Sequence, residues 1–146
     1  MINRFDKEYS FLSNFYSSPI QDGYFNYPTV EHYYQTAKTL DLAVRGEITA
    51  ADTPGQAKEL GRKVLLREDW EDVKDTVMLE ALRLKFSDLI LREKLLATGD
   101  EELVEGNWWH DNYWGICYCE QCVNKAAKNR LGELLMQLRE EIKSSM

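Results

Sequence analysis

A chain of 146 residues is long enough to bury a core without disulfide or metal staples, and we read it as one domain over 1–146. With 25 acidic against 18 basic residues its formal net charge is −7, which excludes a broad basic surface of the kind that wraps duplex nucleic acid, so a nucleic-acid substrate would have to be engaged locally. No apolar run approaches the roughly 20 residues that span a bilayer, nothing at the N-terminus reads as a signal peptide, and three cysteines cannot form a closed set of disulfides; a cytoplasmic protein with no membrane contact is the expectation.

Residues 1–26 mix aromatics with Ser, Asn, Pro and Gly and lack a helical period, which predicts short strands or a hairpin turning near Gln21-Asp22-Gly23. From residue 29 the chain becomes mostly helical. Thr29 is a good N-cap after Pro28, so Glu31 falls in the opening turn of a short aromatic helix, where unpaired amides favour an anion even when it is partly buried. At helical spacing Glu31, Tyr34, Gln35 and Lys38 share one face, with Lys38 about 10 Å up the axis from Glu31. That wall carries a carboxylate, a phenol, an amide and an ammonium. An ordinary surface Glu and Lys is the plain alternative; Val30, Tyr33 and Tyr34 weigh against it by making the helix apolar around most of its circumference. His32, with no ligand-type residue beside it, reads as a packed or hydrogen-bonding histidine.

Thr53-Pro54-Gly55-Gln56 matches a capping box with proline at the first helical position, opening a helix to about Val64. Asp69 precedes a long helix to about Phe86. On it Val73, Val77 and Leu84 supply a packing face, while Trp70, Lys74, Met78, Ala81 and Lys85 form a second stripe. The stripe is either lysines snorkelling over core helices or a pocket wall, with Trp70 stacking on a planar base and the lysines facing phosphate. Leu89, Leu91, Leu95 and Leu96 predict a further helix stopped by Gly99.

Residues 105–115 should form an irregular but packed loop, in which Trp108, Trp109 and Trp114 either line an aromatic cleft or fill a satellite core. Cys117, Cys119 and Cys122 follow as Cys-x-Cys-x-x-Cys, and with His110 they have the composition of a four-ligand zinc site. No second Cys-x-x-Cys is present, so the thiols are read as reduced side chains in a turn and no metal or cofactor is assigned. Leu131, Leu134, Leu135, Leu138 and Ile142 mark the final helix, with Lys143-Ser144-Ser145 free to fray. The fold class is mainly α, a compact multihelical single domain with a short N-terminal β-hairpin or irregular strands.

Phe-Leu-Ser-Asn-Phe at 11–15, Val-Glu-His-Tyr-Tyr-Gln-Thr-Ala-Lys at 30–38, Trp70 with Val77-Met78 and Lys85-Phe86, Thr-Gly-Asp at 98–100, Asp111 with Trp114-Gly115, and Asn-Arg-Leu-Gly-Glu-Leu-Leu-Met at 129–136 together resemble the NADAR, or YbiA-like, N-glycosidases. The motifs run in order through nearly the whole chain. The cysteine segment departs from that family's usual glycine-rich stretch. The resemblance implies a hydrolase that cleaves a C–N bond between a ribose and a base or amine. It implies substrates such as ADP-ribose on guanine or phosphorylated ribosylamino-pyrimidines of riboflavin synthesis, and it places Asp111, Trp70, Phe11, Ser13, Asn14, Trp114 and Gly115 in the site.

Breaking such a bond builds positive charge on the anomeric carbon, which a nearby carboxylate stabilises. Glu31 fits that role, with Asp111 and Lys38 as candidates for the leaving-group proton. A second route traps C1 as a Schiff base on a lysine of lowered pKa. Arg4 and Arg62 are candidate phosphate ligands, since guanidinium matches phosphate geometry. The first reading is removal of ADP-ribose from guanine, with transient contact to modified DNA or RNA; riboflavin-intermediate hydrolysis, a non-catalytic nucleotide-binding module and a zinc-stabilised interaction domain compete with it.

Overall fold

Local capping chemistry decides where most elements begin. A computed structural model describes residues 1–146, which divide into two compact units, a central one of residues 14–88 and a terminal one of residues 1–13 and 89–146. In the central unit β1 (Ile20–Gln21) and β2 (Asn26–Tyr27) pair antiparallel, with Ile20 opposite Tyr27. The hairpin turns where expected because Asp22 accepts the amides of Tyr24 and Phe25, and Gly23 supplies a φ of +94° that a side chain would resist.

Helix α1 (Val30–Thr36) opens at Thr29, whose hydroxyl accepts the His32 amide at 3.1 Å. His32 is fully buried, with Nε2 3.0 Å from the Ala51 carbonyl and Nδ1 2.8 Å from the Thr29 hydroxyl. A carbonyl only accepts, so Nε2 carries the proton; His32 is a satisfied core residue. Helix α2 (Leu42–Thr49), which the sequence did not separate from its neighbours, starts at Asp41, whose carboxylate accepts the Ala43 and Val44 amides. Helix α3 (Pro54–Arg62) is capped by the Thr53 hydroxyl and ends two residues before Val64; Gln56 bonds the Asp52 amide instead of closing the box on Thr53. Helix α4 (Trp70–Lys85) completes the unit, and α1 packs against α2, α3 and α4.

The second stripe of α4 turns inward together with Val77 of the first, while Lys74 is only half-buried. Trp70, Met78, Ala81 and Lys85 are buried, while Val73 and Leu84, assigned to the packing face, are only half-buried. The apolar stem of Lys85 and the thioether of Met78 supply enough carbon for that stripe to turn inward.

In the terminal unit a 3-10 helix (Lys7–Leu12) stands where strand or irregular structure was expected. Helix α5 (Leu89–Ala97) stops at Gly99, φ +64°. Within the expected irregular loop, β3 (Gly106–Asn107) pairs parallel with β4 (Ile116–Cys117). Helix α6 (Arg130–Ser144) follows Asn129, which is left-handed at φ 48° and ties the preceding loop by accepting the Glu105 amide and donating to the Leu103 carbonyl. The end of α6 does not fray as expected: Lys143 donates to the Gly99 carbonyl and pairs with Asp100 at 2.8 Å, which holds the helix through Ser144. At several glycines an added Cβ would collide with a neighbour. One added at Gly132 would lie 2.0 Å from the Leu103 carbonyl oxygen, and one at Gly61 would lie 1.8 Å from Gln35 Oε1.

Candidate functional site

The central unit concentrates most of the expected site residues around α1. Glu31 sits in the first turn, 7% exposed, and its amide donates to the Asn14 carbonyl at 3.1 Å. One turn on, Gln35 donates from Nε2 to Glu31 Oε1 at 2.8 Å. The other end of the amide, Gln35 Oε1, is buried without a hydrogen-bond partner, and so is Asn14 Oδ1. Reversing the Gln35 amide would set an oxygen against a carboxylate oxygen, so Nε2 is the end that faces Glu31. Asn14 donates to Met78 Sδ at 3.5 Å, which brings Asn14, α1 and α4 together around Glu31. Buried acceptors left unmatched by a fold are commonly waiting for water or ligand.

Further along α1 an aromatic and cationic surface continues. The Tyr34 ring lies 5.2 Å from the Trp70 ring, tilted at 57°, and Lys38 Nζ stands 5.6 Å above Tyr34. Burial lowers the Lys38 pKa below the ordinary lysine value; Lys58 and Arg62 push it the same way, and Glu31 opposes them. Lys38, Lys58 and Arg62 therefore form one cationic group with Glu31 in its field. Arg62 is exposed and ion-paired to Glu59 on its own helix, and Lys74 pairs with Glu71 at 2.6 Å. Lys85 is 1% exposed, with Nζ 5.2 Å from the Phe86 ring and 5.6 Å from the Tyr16 ring, and burial pulls its pKa down to about 7.

The remaining expected residues belong to the terminal unit. Asp111 Oδ1 accepts the amides of Tyr113 (3.0 Å) and Trp114 (2.8 Å), a turn-forming arrangement, while Asn107 brackets the Asp111 backbone by bonding its N–H and C=O. Gly115 is where it is for packing: a Cβ there would lie 2.0 Å from the Glu105 carbonyl oxygen. Trp114 meets Tyr113 edge-on, whereas Trp108 and Trp109 are exposed and Arg4 rests 5.1 Å over Trp108, paired with Asp6. Phe11 is buried beneath Lys94 Nζ at 5.8 Å, and the Ser13 amide closes the 3-10 helix on Ser10.

Two participants were not singled out from the sequence. Gly61 gives no signal beyond its residue type. Arg67 ties the chain after α1 to the start of α4: its amide donates to the Lys38 carbonyl at 2.8 Å and its guanidinium forks onto Asp69, and the Arg-x-Asp spacing was the available sign.

A NADAR domain model matches residues 2–143, across both units. The chain belongs to the NADAR domain family. It is 44% identical over 138 residues to N-glycosidase YbiA of Shigella flexneri, covering 92% of this chain and 82% of that one. It is 36% identical over 140 residues to riboflavin biosynthesis protein VVA0006 of Vibrio vulnificus, covering 94% of this chain and 36% of that one. The NMR structure of Escherichia coli YbiA superposes with a TM-score of 0.83 at 40% identity, covering 99% of this chain and 88% of that one. This NADAR chain is a hydrolase of N-glycosidic bonds. None of its helices is long and apolar enough to cross a membrane.

Proposed function

We propose that this NADAR chain removes ADP-ribose from guanine by hydrolysing the bond between ribose C1 and the base nitrogen. The observation that carries the reading is the buried Glu31–Gln35 pair with the unmatched acceptors of Gln35 and Asn14 beside it. Glu31 meets the positive charge that develops at C1 and O4 of the ribose, and its oxygens can orient the attacking water. Gln35 keeps one carboxylate oxygen in place, while the acceptors of Asn14 and Gln35 take hydrogen bonds from ribose hydroxyls. Trp70 and Tyr34 offer rings to a purine, and the group of Lys38, Lys58 and Arg62 suits a diphosphate that continues from the ribose. Lys38, with its lowered proton affinity, donates to the departing base nitrogen; Asp111 shapes the turn that presents Trp114. Contact with modified DNA or RNA stays local, because a net charge of −7 repels the rest of the polymer.

The name of the Vibrio relative favours a second reading, hydrolysis of a phosphorylated ribosylamino-pyrimidine, which needs the same Glu31 and a phosphate at the cationic group. Mass spectrometry of products separates the two. Wild-type chain and Glu31→Gln are incubated with an oligonucleotide bearing ADP-ribosyl-guanine and, in parallel, with the pyrimidine ribosylamine phosphate. Free ADP-ribose with restored guanine, lost in the variant, is the expected result. Ribose 5-phosphate released from the pyrimidine alone would replace the first reading with the second.

A further inference from the structure

We propose that His110, Cys117, Cys119 and Cys122 form a closed, four-ligand structural zinc site in the terminal unit. The ligand atoms of all four residues lie within 4.8 Å of one another. His110 Nδ1 is 3.3 Å from Cys119 Sγ and 3.4 Å from Cys122 Sγ. In a zinc tetrahedron with Zn–S about 2.3 Å and Zn–N about 2.0–2.1 Å, the edges between ligand atoms come to roughly 3.6–3.8 Å. The four ligand atoms therefore stand within about 1 Å of coordination spacing, across residues 12 apart in sequence.

The backbone is committed to this arrangement. His110 holds a φ of 71°, an uncommon conformation for a side-chain-bearing residue, and from it Nδ1 faces the sulfurs while its own amide donates to Cys117 Sγ at 3.3 Å. Cys117 lies on β4, where Asn112 accepts its amide, and the Cys122 amide closes a turn onto the Cys119 carbonyl. Cys117 and Cys122 are buried and Cys119 is half-buried, so the sulfurs are largely shielded, with His110 on the exposed side. A disulfide would use two of the three sulfurs and leave the third beside an imidazole with no purpose.

Three thiolates and an imidazole select zinc over hard cations such as calcium or magnesium. With four protein ligands no position is open to substrate or water, so the ion holds structure instead of performing chemistry. What it holds is specific: Asp111 and Trp114 lie in the chain between the first ligand, His110, and the second, Cys117. The ion would clamp both ends of the segment that the Asp111 carboxylate folds into a turn.

Elemental analysis and native mass spectrometry of the purified chain test this, together with cobalt titration of metal-stripped protein. About one zinc per chain is expected, with the cobalt form showing the intense d–d and thiolate charge-transfer bands of a tetrahedral sulfur-rich site. Cys119→Ser should lose most of the zinc, while His110→Cys, which keeps four ligands, should retain it. Should Cys119→Ser not fold, competition between wild-type chain and a zinc-binding dye decides: the chain is expected to strip the dye. Failure to compete, with three thiols freely reactive in folded protein, would overturn the site, as would a chain mass two hydrogens short of the reduced form.

Discussion

Gln35 donates to the Glu31 carboxylate across one turn of α1 at 2.8 Å, and the oxygen at its other end is buried with no partner. The first-turn amides favour an anion at this position, and the amide side chain fixes one carboxylate oxygen. Glu31→Gln keeps the shape and removes the charge, so folding should be retained while kcat falls roughly a hundred- to a thousand-fold, the scale for losing a preorganised electrostatic contact. Near-wild-type turnover in a folded Glu31→Gln chain would remove Glu31 from the chemistry.

Gly61 makes a second test without touching a charged group. Alanine on α3 gains about 1 kcal/mol of helix propensity, but its Cβ would stand 1.8 Å from Gln35 Oε1 and 2.7 Å from Gln35 Cδ. The far end of a flexible side chain yields more cheaply than backbone, so Gln35 should swing off Glu31. Gly61→Ala is therefore expected to unfold at a temperature within a few degrees of wild type yet lose at least about tenfold in kcat. A large drop in melting temperature with kcat preserved would show that Gly61 serves packing only.

The features legible in the sequence were those with local causes. The Thr29, Thr53 and Gly99 boundaries, the Asp22-Gly23 turn and the α6 stripe each depend on residues within one or two turns, and they lie where pattern places them. The Glu31, Gln35 and Lys38 face was readable for the same reason. What pattern could not supply was decided by distant packing. The depth of the second stripe of α4 was not legible because lysines read as polar, although Lys85 is more completely buried than Val73 or Leu84. The parallel pairing of Gly106 with Ile116 needs a loop that returns on itself, and no period reports it. The four zinc-ligand candidates were visible as residue types, but their spacing of 7, 2 and 3 residues says nothing of distance until the loop is folded.

Lys38 gives the site a pH signature. Its pKa lies below the ordinary 10.5, chiefly because it is buried and also because Lys58 and Arg62 are near. The cation is therefore lost as pH rises through a value below that of a normal lysine, and substrate affinity should weaken there. The alkaline limb of KM for a phosphorylated substrate should lie below 10.5 in the wild type and disappear in Lys38→Met, whose KM is raised and whose kcat falls at all pH, since the proton donor to the base is lost with the cation. An unchanged limb in the variant would assign it to another group.

Lys85 separates a structural from a functional lysine by the sign of its effect on stability. It is 1% exposed, and burial brings its pKa from 10.5 to about 7. Between those two values the unfolded chain binds the proton that the folded chain does not, so stability rises with pH through that window; below about 7 both states are protonated and the full cost of burying the charge applies. At about 1.4 kcal/mol per tenfold change in proton affinity, that cost is on the order of several kcal/mol. Lys85→Met fills similar volume without the charge. Urea unfolding should therefore show the variant more stable than wild type near neutral pH, with the rise toward alkaline pH flattened, while N-glycosidase activity falls. The gain in stability with loss of turnover is the mark of a group retained for chemistry or substrate binding, in keeping with a buried amine whose proton is easily released. A variant less stable than wild type near neutral pH would instead show that Lys85 supports the fold through its contacts with Tyr16 and Phe86.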